Sequence, residues 1–207
     1  MKKISDSTIR RLSKYYRSLE QLIETETETV SSEQLAEMDG ITSAQVRKDL
    51  SFFGTFGKRG LGYNTKKLKK QIGDILGLNK EWRVAIVGAG NIGRALAKFA
   101  EFKKQGFNIC LIMDSDPAKV GEQVEDLQVQ NTRNMKELVK THKIEMAIIA
   151  VPIFAAQKVA DELVENGIRA ILNFASIHLK APPNVMIKNE NTVIEIEALS
   201  YFLANSG

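Results

Sequence analysis

Val84-Ala85-Ile86-Val87-Gly88-Ala89-Gly90-Asn91-Ile92-Gly93, running on into Arg94-Ala95-Leu96-Ala97-Lys98-Phe99-Ala100, is the stretch on which the reading of this chain turns. A short apolar run ends in Gly-x-Gly-x-x-Gly and passes into helix-forming residues. That pattern predicts a strand, a tight turn and a helix N-terminus, the layout that cradles a dinucleotide pyrophosphate. The first glycine permits the turn, the second lets backbone approach the phosphates, and the third lets the helix pack on its strand. The helix start adds free N–H groups and the positive end of its dipole. Gly88, Ala89, Gly90, Asn91, Ile92 and Gly93 are therefore candidate cofactor-binding residues.

The residues downstream extend the pattern. Gly106 is predicted to end the helix, and Phe107 to Met113 reads as a second strand. It finishes at Asp114, 21 residues after Gly93, where an acidic side chain would accept hydrogen bonds from an adenosine ribose and repel a 2′-phosphate. Ser115-Asp116 supplies no arginine for such a phosphate, so NAD(H) is expected over NADP(H). Asn134 to Lys143 reads as helix, Met146 to Val151 as strand, Ala155 to Asn166 as helix closed by Gly167, Ala170 to Phe174 as strand, and Val185 to Ile187 as a last short strand. Apolar strands alternating with helices imply a parallel, doubly wound, Rossmann-like sheet over residues 81–190. Val151-Pro152 and Phe174-Ala175 stand at strand C-terminal ends, where such sheets bind ligands. They are candidate walls for the nicotinamide half, with plain loop residues as the alternative.

Upstream lies something different. Residues 1–80 carry 15 Lys+Arg against 10 Asp+Glu, whereas residues 81–207 carry 14 against 15. Between Arg47 and Lys70 there are eight basic residues and one acidic one, Asp49. Basic charge gathered in one segment is the footprint of a nucleic-acid binder, and a solvated surface is the plainer alternative. A first helix, capped by Asp6 or Ser7, would bury Ile9, Leu12, Tyr16, Leu19 and Ile23. Ser31 to Gln34 and Thr42 to Gln45 each fit a capping box, with Asp39-Gly40 breaking the chain between them. Helix, glycine turn, helix is the helix-turn-helix pattern. Val46 and Leu50 face inward, leaving Gln45, Arg47 and Lys48 outward near the start of the second helix, the part that reaches base edges in the major groove. Arginine can bridge guanine O6 and N7, and glutamine can pair with adenine. Gly54 to Tyr63 then predicts a basic hairpin with Lys58-Arg59 at its tip, suited to phosphates or a narrow minor groove. Together these make a winged helix, closed by a further helix from Asn64 or Thr65 to Leu76 and joined by a linker from Leu78 to Glu81.

A catalyst is hard to find. His142 and His178 lack carboxylate partner motifs, Cys110 sits mid-strand like a small apolar residue, and no metal-ligand cluster is visible. Too few residues follow the last strand for a substrate domain. No enzyme activity is expected. No apolar run approaches the roughly 20 residues of a membrane span, no secretory signal is evident, and the single cysteine fits a cytoplasmic protein. Residues 191–207 hold Val193, Ile196, Leu199, Phe202 and Leu203, an apolar helical stripe that could lie on its own sheet or reach a second subunit.

With these pieces assembled, the chain resembles the Rex family of redox-sensing transcriptional repressors over essentially its full length. The resemblance is carried by Arg11 to Arg17, Ser43 to Ser51, Phe53-Gly54, Gly57 to Tyr63 and Gly88 to Gly93. It implies a homodimer on palindromic double-stranded operator DNA, with NAD(H) in the Rossmann-like domains and the C-terminal helix exchanged between subunits. NADH would release the operator and NAD⁺ would permit binding. Ser43, Gln45, Arg47 and Lys48 would serve the major groove, and Lys58, Arg59 and Tyr63 the wing. Arg17 would be a switch ion-pair partner. Three positions depart from the family. Asn191 stands where an Asp usually partners the first-helix Arg, Phe99 where Tyr is frequent near the nicotinamide, and Ser176 where Pro follows Asn-Phe-Ala. The departures touch sensing and leave the DNA reader intact, so a weakened or altered nucleotide response is one expectation. A small NAD-dependent oxidoreductase with a structural basic front domain is the rival from another class, and a DNA-binding regulator using another adenine nucleotide is a third.

Overall fold

The computed structural model describes residues 4–57 and 61–206. The chain divides into two compact units, residues 1–80 and 81–207, each with its own core.

The front unit holds α1 (Asp6–Glu24), β1 (Thr29–Val30), α2 (Ser32–Asp39), α3 (Ser43–Ser51), β2 (Tyr63–Asn64) and α4 (Thr65–Leu76). Ser5 caps α1, one residue earlier than the sequence suggests, because its extended backbone lets the hydroxyl accept from the Thr8 N–H. Tyr15, not Tyr16, takes the core position beside Leu12 and Leu19. Tyr16 sits at the rim, where the missing side chain of Gly73 on α4 makes room for its ring. Ser31 and Gln34 form the expected reciprocal capping box on α2. The second box is only half made. Thr42 accepts from the Gln45 N–H, but the Gln45 amide turns to Asp49. Gly40 ends α2 in the left-handed conformation, and the Ile41 N–H returns to the Ala36 carbonyl, which fixes the turn into α3. Leu35, Val46, Leu50, Leu68 and Ile72 close the core, each worth about 2 kcal/mol of apolar burial.

β1 pairs antiparallel with β2 at the base of the expected wing. A Cβ on Gly57 would stand 2.5 Å from the Gly62 carbonyl oxygen, so the two arms of the loop run side by side there. Lys58 and Arg59, and with them the tip of the predicted hairpin, lie outside the described residues.

The second unit runs β3 (Trp82–Val87), α5 (Asn91–Ala97), α6 (Ala100–Lys104), β4 (Phe107–Asp114), β5 (Gln123–Val124), β6 (Leu127–Gln128), β7 (Gln130–Asn131), a 3₁₀ turn, α7 (Met135–Thr141), β8 (Met146–Ile149), α8 (Ile153–Glu165), β9 (Ala170–Asn173), β10 (Met186–Asn189) and α9 (Thr192–Asn205). Six parallel strands lie in the order β10-β9-β8-β3-β4-β7. The order reverses between β3 and β8, the switch point where the crevice of such a sheet opens. The single helix expected up to Gly106 is two. Phe99 adopts an extended backbone (ψ 96°) between α5 and α6, and neither Lys98 nor Phe99 is a residue type that announces a break. The small β5–β6 hairpin and edge strand β7, too short to read from periodicity, stand between β4 and α7.

α7, α8 and the β9–β10 connection cover one face of the sheet, packing Val139, Ala160, Leu163 and Leu179 onto Val87, Leu111 and Ile171. On the other face α5, α6 and the β5–β6 hairpin lie over β3 and β4. Beyond them is an apolar groove of about 280 Å³ lined by Phe102, Met146, Leu172 and Met186. α9 forms as expected, yet none of its residues is buried. Val193, Ile194, Ile196, Leu199, Tyr201, Phe202 and Leu203 are each 56–75% exposed, so the stripe lies on no sheet of its own chain.

Candidate dinucleotide crevice and DNA-reading helix

β3 delivers the glycine turn to the switch point, and the three glycines do different things there. A Cβ on Gly88, whose φ is 108°, would collide with the Ala150 carbonyl oxygen at the end of β8. A Cβ on Gly93 would overlap the Gly88 carbonyl oxygen and press on Ile86. These two glycines let the chain pack on itself. A Cβ on Gly90 would meet nothing, because that position faces a crevice of about 720 Å³, within the usual range for a ligand site.

Gly88, Gly90, Asn91 and Ile92 line this crevice, as do Asp114, Val151 and Pro152. Ala89 and Gly93 do not. Ala89 is buried and its N–H is already donated to Asp114 Oδ2 at 2.8 Å, so these two candidates support the loop from behind. Asp114 ends β4 almost fully buried, accepting from the Asp116 N–H at 2.9 Å and from Lys119 Nζ at 3.3 Å. Burial pushes its carboxyl up, but the Asp116 and Ala89 N–H groups and Lys119 together hold it below the usual carboxylate range. It is ionised at neutral pH, and a carboxylate's lone pairs exceed these three donors, so room for a ribose hydroxyl remains.

Phe99 does not line this crevice. It sits in the break between α5 and α6, edge-on to Phe102 with ring centroids 5.2 Å apart, and lines a separate hollow with Arg83, Cys110 and Glu125. Phe174 and Ala175 also stay out of the crevice, since both are packed into the cores on either side of the sheet. Asn173, fully buried, holds their loop through bonds to Ala175, Ile177 and Asn189. The sequence reading missed Lys119, Thr132, Phe154 and Lys158 on the crevice wall. Lys119 was findable: Asp116-Pro117 makes a turn, and its carbonyl accepts the Lys119 N–H, bringing that side chain back to Asp114. Phe154, 88% exposed in the first turn of α8, carries no such signal.

In the front unit α3 is bolted to α1 through Asp49. This carboxylate is 0% exposed and accepts from Arg11 Nε (2.6 Å) and Nη2 (2.8 Å), Tyr15 Oη (2.8 Å), Gln45 Nε2 (2.9 Å) and Thr8 Oγ1 (3.4 Å). Burial raises its pKa, yet Arg11, Tyr15 and Gln45 outweigh that and hold it low. The same site pushes the Tyr15 hydroxyl upward, through burial first and the neighbouring carboxylate second. Gln45 is thus a strut, with its amide nitrogen engaged inside the protein.

Arg47 and Lys48 are exposed on α3, and Ser43 lies at its first turn. Arg47 Nη1 donates to Ser32 Oγ at 2.8 Å and to Glu33 Oε1 at 3.0 Å, at the start of α2. Burial raises the pKa of the Tyr63 hydroxyl at the wing base, which also feels Arg47 and Glu33. α2, α3 and the wing base therefore converge on Arg47. Of the two switch candidates, Arg17 donates to Glu20 at 2.8 Å in its own helix, and Asn191 caps α9 by accepting from the Val193 N–H at 3.1 Å.

Among the described residues no three His, Cys, Asp or Glu side chains gather as a metal site, and no helix is long and apolar enough to cross a membrane. The family model described as "CoA binding domain" matches residues 79–177, and "Putative DNA-binding protein N-terminus" matches residues 3–51. The chain is 45% identical over 199 residues to the redox-sensing transcriptional repressor Rex of Chloroflexus aggregans, covering 96% of this chain and 94% of that one. It is 45% identical over 201 residues to the protein of that name from Pelotomaculum thermopropionicum, covering 97% and 94%. Among solved structures it is similar to RSP, a Rex-family repressor, in complex with β-NAD⁺ and operator DNA (TM-score 0.94, 38% identity, 100% of this chain and 95% of that one). It is also similar to RSP in complex with β-NADH (TM-score 0.90, 36% identity, 100% and 97%).

Proposed function

We propose a function from one premise: this chain belongs to the Rex family of redox-sensing transcriptional repressors. It is a repressor that binds operator DNA through its front unit, binds NAD(H) in its second unit, and lets the NADH/NAD⁺ ratio decide whether it stays on DNA. The observation that carries this reading is the pairing of two sites in one chain. One is a winged-helix unit with Arg47 and Lys48 outward on its recognition helix. The other is a switch-point crevice with Gly90 open to it and Asp114 at its side.

The crevice suits a dinucleotide read in sequence along its length. Asp114 would take the adenosine ribose, the turn at Gly88 to Gly90 and the start of α5 the pyrophosphate, and Val151 and Pro152 the nicotinamide side. The two redox forms of that ring differ in charge and planarity, so a wall that contacts it binds them unequally. Only this difference in affinity can move the protein between a DNA-binding and a released state. The nucleotide is read without turnover, a reading supported by relatives over nearly the full chain that are named repressors.

The surface of the second unit supports a homodimer. An α-helix with apolar residues exposed all round and an apolar groove over β8, β9 and β10 each need cover. The α9 of one copy laid on the sheet of the other would cover both, and a two-fold dimer matches a palindromic operator. Operator binding and an NAD(H) ligand support a cytoplasmic location.

A second reading concerns the strength of the response. Asn191 is neutral, so it cannot supply the negative partner that the resemblance assigns to Arg17, and Arg17 has Glu20 as an ion-pair partner instead. This chain would then bind its operator as its relatives do and respond more weakly to NADH.

The test uses a duplex selected by the protein from a random library, with binding followed by fluorescence anisotropy while NADH and NAD⁺ are titrated separately. Selective release by NADH supports the first reading. DNA binding with little release supports the second. Failure to select any sequence refutes both.

A further inference from the structure

We infer that Glu33, with Ser32, is a positioning residue for base recognition: it holds one edge of the Arg47 guanidinium so that the other edge meets the DNA in a fixed orientation. This rests on the reading of α3 as the recognition helix.

The argument begins with which nitrogen is used. Both protein bonds of Arg47 go to Nη1, one to Ser32 Oγ at 2.8 Å and one to Glu33 Oε1 at 3.0 Å. Nη2 and Nε, the remaining edge of the fork, carry the pair of parallel N–H groups that matches guanine O6 and N7. The anchor itself is built. Ser32 is buried at the first turn of α2, and its hydroxyl lies 3.3 Å from both carboxylate oxygens of Glu33. Glu33 is exposed and lies in the first turn of α2, where the helix dipole favours its charge. Its own backbone N–H, then Ser31, Arg47 and Ser32, hold its carboxyl below the usual range, so it is ionised whenever the protein meets DNA.

Two consequences distinguish this pair from an ordinary surface ion pair. A long arginine normally loses rotamer freedom when it docks, and an arginine already held loses less, so the gain appears only where the pre-set edge finds its base. A carboxylate beside the reading head also repels phosphate, which penalises binding to the wrong sequence. Glu33 therefore raises the ratio of operator to non-specific affinity more than it raises affinity itself.

The experiment compares full-length wild type, Glu33→Gln, Arg47→Ala and the double variant. Each is measured on the library-selected duplex and on mixed-sequence DNA, and selection from the random library is repeated with Glu33→Gln. Glu33→Gln is expected to lower the operator-to-non-specific ratio about tenfold and to relax preference at one base pair per half-site. In the Arg47→Ala background the same change should leave the ratio unaltered. The urea-unfolding transition of the front unit, which holds both residues, reports intact folding. An unchanged ratio, or a loss spread evenly over all sequences, overturns the proposal while leaving Arg47 as a reader. If Arg47→Ala itself leaves operator affinity unchanged, the recognition-helix reading fails as well.

Discussion

The two units treat their surfaces in opposite ways. In the front unit α3, the proposed reading helix, is fixed from within: Asp49 gathers five donors, and none of them comes from outside the unit. In the second unit a buried aspartate again braces the working loop, but Asp114 stands at the lip of an open crevice with its side chain 11% exposed. The same unit leaves a sheet groove and a whole helix uncovered. A DNA reader gains from being rigid before DNA arrives, because less order has to be created on binding. A sensor must keep surface in reserve, because a two-state device needs contacts that one state makes and the other does not.

The largest effect expected tests whether the open surface is an interface. Leu199→Glu with Phe202→Glu puts two charges on α9 at positions 61% and 64% exposed, so a free helix would tolerate them. If α9 joins two copies, the variant becomes monomeric by sedimentation. Operator affinity then falls on the order of 100-fold, because the two half-sites no longer act together. A variant that stays dimeric would break the comparison, since α9 would then be surplus surface.

Next in size is the clamp. Asp49→Ala leaves Arg11 and Tyr15 facing an empty buried site, which costs about 3 kcal/mol. Urea unfolding should show the loss confined to the front unit, with nucleotide affinity of the second unit unchanged. The pH dependence has the same origin. The folded-state pKa of Asp49 is depressed, so its stabilisation is present above the unfolded value of about 3.9 and disappears as pH falls through the lower folded value. Wild type should therefore lose stability on acidification below about pH 4, and Asp49→Asn should flatten that slope. An Asp49→Ala protein with wild-type stability would show that the reader is held some other way.

On the seat side, Gly93→Ala puts a Cβ onto the Gly88 carbonyl oxygen and pushes the turn into the crevice. A shift costing about 2 kcal/mol is a roughly 30-fold loss of NADH affinity by calorimetric titration. Gly90→Ala, whose Cβ meets no protein atom, should leave the unit's stability unchanged and weaken the nucleotide alone. Equal destabilisation by both would mean that Gly90 faces protein and not ligand.

These contrasts also explain what the sequence made legible. β3, β4 and β8 were readable because each carries an apolar run of four or more residues, and α2, α3 and α4 because Ser31, Thr42 and Asn64 are strong N-caps. The crevice lining at Gly88, Gly90 and Asp114 was readable because these residues are tied by spacing along one β–α–β unit. The break at Phe99 between α5 and α6 was not readable because it has no glycine or proline to mark it. Asp49 was read only as the lone acid of a basic stretch: its partners on α1 lie 34 to 41 residues away in sequence, and only the packing of α1 on α3 brings them together. Arg47 was read as pointing outward, which it does, but its tie to Glu33 spans a turn whose geometry the sequence does not state.

The smallest effect concerns the one flaw in the front unit's closure. Asp39 Oδ1 accepts from Ser18 Oγ at 3.2 Å, but Oδ2 is buried with no hydrogen-bond partner, unlike any other side-chain oxygen or nitrogen among the described residues. Burial raises its pKa, and Ser18 and Lys14 only partly offset this. It is also the last residue of α2, where the helix dipole disfavours negative charge. A carboxyl whose pKa is raised on folding contributes stability that is full below its unfolded pKa and is lost as pH rises through the folded value. Asp39→Asn should therefore stabilise the front unit by about 1 kcal/mol at pH 7, and the gain should vanish as pH falls through the carboxylate range. A melting series from pH 7 to pH 3 measures both. Destabilisation at pH 7 would mean that the Asp39 charge has a partner that matters, and that the front unit is closed without exception.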